Sequence, residues 1–168
     1  MKCILETGRL RLREFTTADA AFILELVNSP GWLEFIGDRN IKTTEQAIAY
    51  LENGPIKSYA ENGFGLGCVE TKDKEKAIGM CGIIKRDTLD KPDIGFAFLP
   101  GFMGKGYAFE MAAATLAFAT AQLKLPTIYA ITVANNTRSI NLLEKIGLKF
   151  IKVLKFPEKK EELLLYSN

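Results

Sequence analysis

The sequence predicts a protein of the α+β class, in which helices cover a mixed β-sheet. Two kinds of pattern alternate along its 168 residues: short apolar or period-two runs, typical of strands, and longer runs with apolar residues at helical spacing. The segments between these runs are too short to be disordered linkers. We therefore expect one domain over residues 1–168, with a mixed, mostly antiparallel sheet of about seven strands flanked by four helices.

Capping and turn residues set the predicted boundaries in the first half of the chain. Thr43 and Gln46 form a capping box, and Asn53-Gly54-Pro55 is expected to end the helix that follows. The charges of segment 72–76 alternate in sign between two apolar runs, which is typical of a hairpin turn. In chain order we predict a strand through Leu10 and Leu12, a helix from Thr16 or Thr17 to Ser29-Pro30-Gly31, the helix from Thr43, and strands at 64–70 and 77–85.

In the second half, the strand predicted from Asp93 to Leu99 has two different faces. Ile94, Phe96 and Phe98 share one face, whereas Asp93, Gly95 and Ala97 share a flatter face that leaves room for a ligand. The further predicted elements are a buried alanine-rich helix from Tyr107 to about Leu123, a strand from Ile128 to Val133, a helix from Asn136 or Thr137 to Gly147, and a closing hairpin at 149–156 and 163–166.

Composition and charge exclude several classes of function. With 22 Lys plus Arg against 20 Asp plus Glu, the net charge of +2 is too small for non-specific binding to nucleic acid or membranes. No apolar segment is long enough for a signal peptide or a bilayer span, so we expect a cytoplasmic protein. Cys3, Cys68 and Cys81 follow no metal-ligand spacing and are expected to be reduced, buried thiols.

The chain contains no histidine. This excludes Ser-His-Asp and Cys-His catalytic groups, and it disfavours catalytic zinc or non-haem iron, so we expect no metal. Catalysis must then depend on carboxylates, hydroxyls, backbone amides or a bound cofactor.

The segment from Leu99 to Ala108 has the composition of a phosphate-binding loop. Glycines at 101, 104 and 106 lead directly into a helix, whose unpaired N-terminal amides suit a phosphate or pyrophosphate. The P-loop pattern fails because Lys105 lies between two glycines and no Ser or Thr follows. The dinucleotide fingerprint fails because the glycine spacing is reversed and no acidic residue lies about 20 residues further on.

Four blocks of the sequence resemble the GNAT superfamily of acetyl-CoA-dependent N-acetyltransferases. Met103-Gly104-Lys105-Gly106-Tyr107-Ala108 is similar to its motif A, Gln/Arg-x-x-Gly-x-Gly/Ala, with Met103 in place of Gln or Arg. The other blocks resemble the RimJ/RimL-like branch: Leu5 to Arg13 together with Asp19, Asp93-Ile94-Gly95-Phe96, and Asn136 to Gly147.

The resemblance implies the GNAT fold, acetyl-CoA as acetyl donor and direct attack by an amine within a ternary complex. In such enzymes, loop amides hold the pyrophosphate of coenzyme A, and the pantetheine arm follows the central strand. A strand amide stabilises the developing oxyanion. Carried over to this chain, the residues expected to bind coenzyme A are Phe98, Leu99, Met103, Gly104, Lys105, Gly106, Tyr107, Ala108, Asn136 and Ser139.

Ser139 and Asp93 are the candidate catalytic residues. Many GNAT enzymes protonate the leaving thiolate with a tyrosine four residues after the position of Ser139, but here that residue is Leu143, so Ser139 is the candidate proton donor. Its alternative role is packing, with the hydroxyl bonded back to the helix. Asp93 is the candidate base, and its alternative role is that of a solvated carboxylate or the partner of a nearby Lys or Arg. Glu34 in the acceptor pocket, or water alone, are the other options. Asn136 suits a helix cap as well as a cofactor contact.

The expected acceptor is a primary amine, either a protein N-terminus or a small molecule. A catalytically silent CoA-binding module is the alternative from another class, and an enzyme acting on nucleotide phosphates is a third possibility. The chain is expected to be a monomer or a homodimer.

Overall fold

The computed structural model describes residues 1–158 and 160–168. Eight strands form one sheet in the order β1-β2-β3-β4-β5-β6-β8-β7. Every neighbouring pair is antiparallel except β5 and β6, which are parallel. The strands are β1 (Cys3–Glu6), β2 (Leu10–Glu14), β3 (Leu66–Thr71), β4 (Lys76–Ile84), β5 (Asp93–Phe98), β6 (Tyr129–Val133), β7 (Lys149–Leu154) and β8 (Leu163–Ser167).

Helices cover both faces of the sheet. The described residues include the α-helices α1 (Ala20–Val27), α2 (Pro30–Phe35), α3 (Thr44–Leu51), α4 (Lys57–Asn62), α5 (Tyr107–Ala121) and α6 (Thr137–Lys145). Helices α5 and α6 pack over one face in a core that includes Ile94 and Phe98 of β5. Helices α1 to α3 pack over the other face, where Met80 is buried and Ala97 lies against the cluster. No helix of the described residues is both long enough and apolar enough to span a membrane.

The predicted α+β fold with a mixed, mostly antiparallel sheet is confirmed, with one helix added and one helix end corrected. Helix α1 ends at Val27, close to the predicted end at Ser29-Pro30-Gly31, but Pro30 also occupies the first turn of α2, where its missing N–H costs nothing, and α2 was not predicted. The helix from Thr43 does not end at Asn53-Gly54-Pro55, because a π turn over Glu52–Ile56 accommodates Pro55 and continues into α4. That helical segment ends at Gly63, whose φ of 75° forms the left-handed C-cap.

A buried ionic cluster connects β2, β3 and the turn before α1. Arg13 donates two hydrogen bonds to Asp19, at 2.9 and 2.8 Å, and its Nε donates to Glu70 at 2.7 Å. Burial alone would raise the pKa of Asp19, but the hydrogen bonds from Arg13 and Thr16 outweigh it and lower the pKa below its usual value. Arg13 therefore belongs to the interior, although it alternates in sequence with solvent-facing arginines.

Candidate active site

The sheet opens between β5 and β6. Their only ladder pair within the described chain joins Asp93 to Tyr129, at the start of both strands. Past this pair the strands diverge, so backbone N–H and C=O groups along the facing edge of β5 lack a strand partner. The opening therefore widens toward Phe98 and Val133, at the far ends of the two strands.

The glycine loop lies at the wide end of this opening. Hydrogen bonds from Leu99 N to Ile78 O (2.9 Å) and from Phe102 N to Leu99 O (3.0 Å) fix its entry. Gly104 and Gly106 follow with φ values of 72° and 80°. Among the described residues, the backbone amides from Gly104 to Phe109 donate to no protein group. They precede or begin the 15-residue helix α5, so the loop presents a set of unpaired donors at a helix N-terminus.

Helix α6 reaches the same loop through Met103, which is partly exposed. The Nη1 atom of Arg138 lies 3.4 Å from the Met103 Sδ atom. Asn136 caps α6, since its Oδ1 accepts from the Ser139 backbone amide at 3.2 Å. The side chain of Ser139 is half-buried, and its hydroxyl makes no hydrogen bond among the described residues, so it is not bonded back to the helix. This hydroxyl is therefore free to face a ligand.

Asp93 lies at the narrow end of the opening and is 1% exposed. Its Oδ1 accepts from Arg86 Nε at 2.9 Å, whereas Oδ2 has no partner among the described residues. Burial raises the pKa of Asp93 above its usual value, and the opposing effect of Arg86 is smaller. A buried carboxylate oxygen without a donor is costly, which makes it a candidate for proton transfer.

The structure brings the loop, Asn136 and Ser139 together but leaves Asp93 apart from them. Because β5 and β6 are parallel, the start of β5 and the end of β6 lie at opposite ends of the opening. The length of β6 separates the two ends by roughly 13 Å, at about 3.3 Å per residue. Asp93 and Ser139 therefore cannot act on the same proton.

Comparisons with known proteins decide the family. A model of the acetyltransferase (GNAT) domain matches residues 9–149, which is most of the chain. The chain belongs to the GNAT acetyltransferase family. A GNAT relative named as the uncharacterised N-acetyltransferase YoaA of Bacillus subtilis is 28% identical over 147 residues, which cover 87% of this chain and 82% of the relative.

Two solved structures share the GNAT fold of this chain. An acetyltransferase from Agrobacterium tumefaciens has a TM-score of 0.83 and 24% identity. This match covers 100% of the present chain and 94% of the Agrobacterium protein. RimL, a ribosomal L7/L12 α-N-protein acetyltransferase solved with coenzyme A, has a TM-score of 0.86 and 12% identity. This match covers 99% of the present chain and 97% of RimL. These two structures show the fold of the chain, and the family model shows that it is a GNAT acetyltransferase.

Four further residues that the sequence places at or near the predicted site differ in burial. Leu143, at the position of the usual tyrosine, is buried in the core beneath α6. The side chain of Phe98 is also buried, so only its backbone faces the opening. Glu34 is exposed on α2, not in a loop. Lys105 is exposed, with Nζ 5.5 Å from the centre of the Phe102 ring.

Sequence reasoning missed the role of Arg9 and Glu110 beside the loop. Arg9 Nη1 donates to Lys105 O at 3.0 Å, and Arg9 Nε donates to Glu110 Oε2 at 2.7 Å. Arg9 and Glu110 are 101 positions apart in sequence, so no local pattern links them. Among the described residues, no group of three His, Cys, Asp or Glu side chains has the proximity that a metal site requires.

Proposed function

We propose that this GNAT enzyme transfers an acetyl group from acetyl-CoA to a primary amine by direct attack in a ternary complex, as a member of the RimJ/RimL-like branch. The observation that carries the proposal is the set of unpaired amides from Gly104 to Phe109, placed beside the opening between β5 and β6. The coenzyme A bound by RimL, which shares this fold, supports the same donor here.

The loop amides would hold the pyrophosphate of coenzyme A. Two positive-φ glycines allow the backbone to turn these N–H groups toward one point, and the dipole of α5 adds favourable positive potential. The pantetheine arm would follow β5 past Leu99 and Phe98 into the opening, with Met103 and the start of α6 on its other side. Asn136 would act mainly by fixing the first turn of α6, which places Ser139 at the opening.

The reaction requires two proton transfers, for which Asp93 and Ser139 are the candidate residues. In the reaction, the amine nitrogen bonds to the thioester carbonyl carbon, the carbon–sulfur bond breaks, the nitrogen loses a proton and the sulfur gains one. The nitrogen and the sulfur are bonded to the same carbon, whereas Asp93 is buried at the end of the opening away from Ser139, so Asp93 would accept the amine proton through a chain of water molecules that ends at its unpartnered Oδ2. Ser139 would donate to the leaving sulfur, directly or through water. Backbone N–H groups along β5 would stabilise the oxyanion.

Ligand-induced stabilisation tests the donor assignment. A ligand present at 100 times its Kd adds about 2.7 kcal/mol to the free energy of unfolding, provided that it binds only the folded state. We expect acetyl-CoA and coenzyme A to raise Tm, and ATP and NAD to leave it unchanged. A rise with ATP or NAD but not with coenzyme A would reject the assignment of the loop.

Acetyl transfer tests the reaction class. Peptides with a free N-terminus, amino acids, polyamines and aminoglycosides serve as acceptors, and each peptide has an N-terminally blocked copy as its control. Mass spectrometry should show the added acetyl group on free amines and not on blocked ones. Tight binding of coenzyme A without transfer to any amine would instead identify a non-catalytic CoA-binding module.

A further inference from the structure

The first turn of α5 is fastened to the turn between β1 and β2 by three hydrogen bonds to Glu110. Thr7 Oγ1 donates to Glu110 Oε1 at 2.6 Å, and the Arg9 backbone amide donates to the same oxygen at 2.9 Å. Arg9 Nε donates to Oε2 at 2.7 Å. Burial acts to raise the pKa of Glu110, but the hydrogen bonds from Thr7 and Arg9 prevail and lower it, so the carboxylate is ionised at neutral pH.

Arg9 then extends from Glu110 onto the glycine loop. Its Nη1 donates to the Lys105 carbonyl at 3.0 Å, and its guanidinium carbon lies 4.4 Å from the centre of the Tyr107 ring. A Cβ built on Gly106 would lie 3.3 Å from Arg9 Nη2. One side chain thus contacts three consecutive residues of the loop, from 105 to 107.

The bond to the Lys105 carbonyl determines where the next amide points. In a trans peptide unit, the C=O of one residue and the N–H of the next point in opposite directions. Arg9 holds the Lys105 C=O toward itself, so the Gly106 N–H is directed away from Arg9. Without this bond, the glycines on either side of Lys105 would allow the peptide unit to rotate at little cost. We call Arg9 and Glu110, with their hydrogen bonds to each other and to the loop, the brace.

The negative charge of Glu110 is a second reason why the binding of an anion at the loop would depend on Arg9. A carboxylate in the first turn of α5 would repel an anion bound at that helix N-terminus. Arg9 neutralises this charge while it occupies both roles, as partner of Glu110 and as donor to the loop.

We propose that Arg9, anchored by Glu110, is a positioning residue that sets the loop amides for coenzyme A before the ligand arrives. This inference depends on the proposed function of the loop. The brace lowers the ordering cost of binding, and its loss therefore raises the Kd for coenzyme A and the KM for acetyl-CoA by about tenfold, while kcat stays within about twofold.

Arg9→Ala, Arg9→Lys and Glu110→Gln test the brace, with Arg11→Ala as the matched control. Arg11 lies two residues further along and pairs with Glu6 at 2.8 Å, away from the loop. We expect Arg9→Ala and Glu110→Gln to weaken coenzyme A binding in calorimetry, and Arg11→Ala to bind as the wild type does. Arg9→Lys should not restore binding, because one ammonium group cannot replace the fork that joins Glu110 to Lys105.

Two outcomes would overturn the proposal. Wild-type affinity in Glu110→Gln would show that Arg9 needs no anchor. Full recovery in Arg9→Lys together with a reduced salt dependence in Arg9→Ala would show that the side chain makes a direct charge contact with the ligand. NMR order parameters of the ligand-free protein provide a test that does not require coenzyme A. Those of Gly104, Lys105 and Gly106 should fall in Arg9→Ala and not in Arg11→Ala; unchanged values would reject the brace even if the loop binds coenzyme A. If the wild type does not bind coenzyme A, the proposed function fails, and the NMR result still stands for the brace.

Discussion

Arg86 Nε donates to Asp93 Oδ1 at 2.9 Å, yet the other oxygen of this buried carboxylate has no donor among the described residues. The arginine thus orients Asp93 without satisfying it. Burial dominates the electrostatics, and the pKa of Asp93 is raised despite the adjacent positive charge. A side chain held in this state is poorly suited to stabilising the fold and well suited to accepting a proton.

Asp93→Asn should lower kcat/KM by about 10²- to 10⁴-fold, the usual contribution of a general base. In the wild type, activity should fall as the pH decreases through the raised pKa of Asp93, because the base is then protonated. Asp90→Asn, which changes an exposed aspartate nearby, is the control. A variant Asp93→Asn with wild-type activity would exclude Asp93 as the base.

The same substitution should leave Tm unchanged or raise it. Because the pKa of Asp93 is higher in the folded state, its ionisation lowers stability as the pH rises from the unfolded value of about 3.9 to the folded pKa. A neutral side chain of equal size removes this effect. Thermal unfolding at pH 4 to 8 measures it, and a large loss of stability at pH 7 would contradict the assignment of the pKa shift.

Gly106→Ala should weaken coenzyme A binding by about tenfold or more, since a φ of 80° costs an L-residue about 1–2 kcal/mol. The added methyl group would also press on Arg9 Nη2. Gly101→Ala is the comparison, because Gly101 has no left-handed φ and a Cβ there meets no atom within 4 Å. Calorimetry should separate the two variants, and equal affinities would argue against the loop geometry.

Ser139→Ala should reduce kcat by about 10- to 100-fold with little change in KM, if its hydroxyl donates to the leaving sulfur. The cap of α6 survives in this variant, because Asn136 accepts from the backbone amide of residue 139 and not from the hydroxyl. Thr137→Ala, in the same turn, is a control that should retain activity. Equal kcat values for wild type and Ser139→Ala would leave the proton transfer to water.

Asp19→Asn should lower the free energy of unfolding by about 3 kcal/mol at pH 7, since it leaves Arg13 buried without its main partner. The lowered pKa of Asp19 means that its stabilising effect is present above the unfolded value of about 3.9 and is lost as the pH falls through the folded pKa. The difference from wild type in urea unfolding should therefore shrink in acid. Glu61→Gln, at an exposed ion pair, should change stability little at any pH.

One of the three cysteines should react rapidly with a thiol reagent in the folded protein. Cys3 is exposed, in contrast to the buried thiol expected from sequence. Burial raises the pKa of both Cys68 and Cys81 to about 12, so their thiolate fractions at pH 8 are very small. Ellman's reagent should modify one thiol in native protein and three after denaturation; Cys3→Ser should abolish the fast reaction. Two fast thiols would contradict this burial.

Elements with a strong local pattern were predictable from sequence, whereas features that depend on distant contacts were not. The alanine-rich helix α5 and the alternating strand β5 have bounds close to those predicted. Strand β1 was missed because its four residues lie at the sheet edge, partly exposed, without a clear alternation. The opening beside Asp93 could not be predicted, because its existence depends on the order of the strands in the sheet. The hydrogen bond from Arg9 to the loop was also out of reach, because it joins residues more than ninety positions apart in sequence.

The opening between β5 and β6 also divides the sheet mechanically. Strands β1 to β5 form a continuous antiparallel ladder, and β6, β8 and β7 form a second one, with one ladder pair joining them in the described chain. The two ladders also share a hydrophobic core beneath α5, which includes Ile94 of the first ladder and Ala130 of the second. A ligand bound in the opening, as proposed above, would contact both ladders and would supply the cross-links that strand pairing supplies elsewhere. Substrate binding in this protein is therefore expected to increase the cooperativity of unfolding as well as its midpoint.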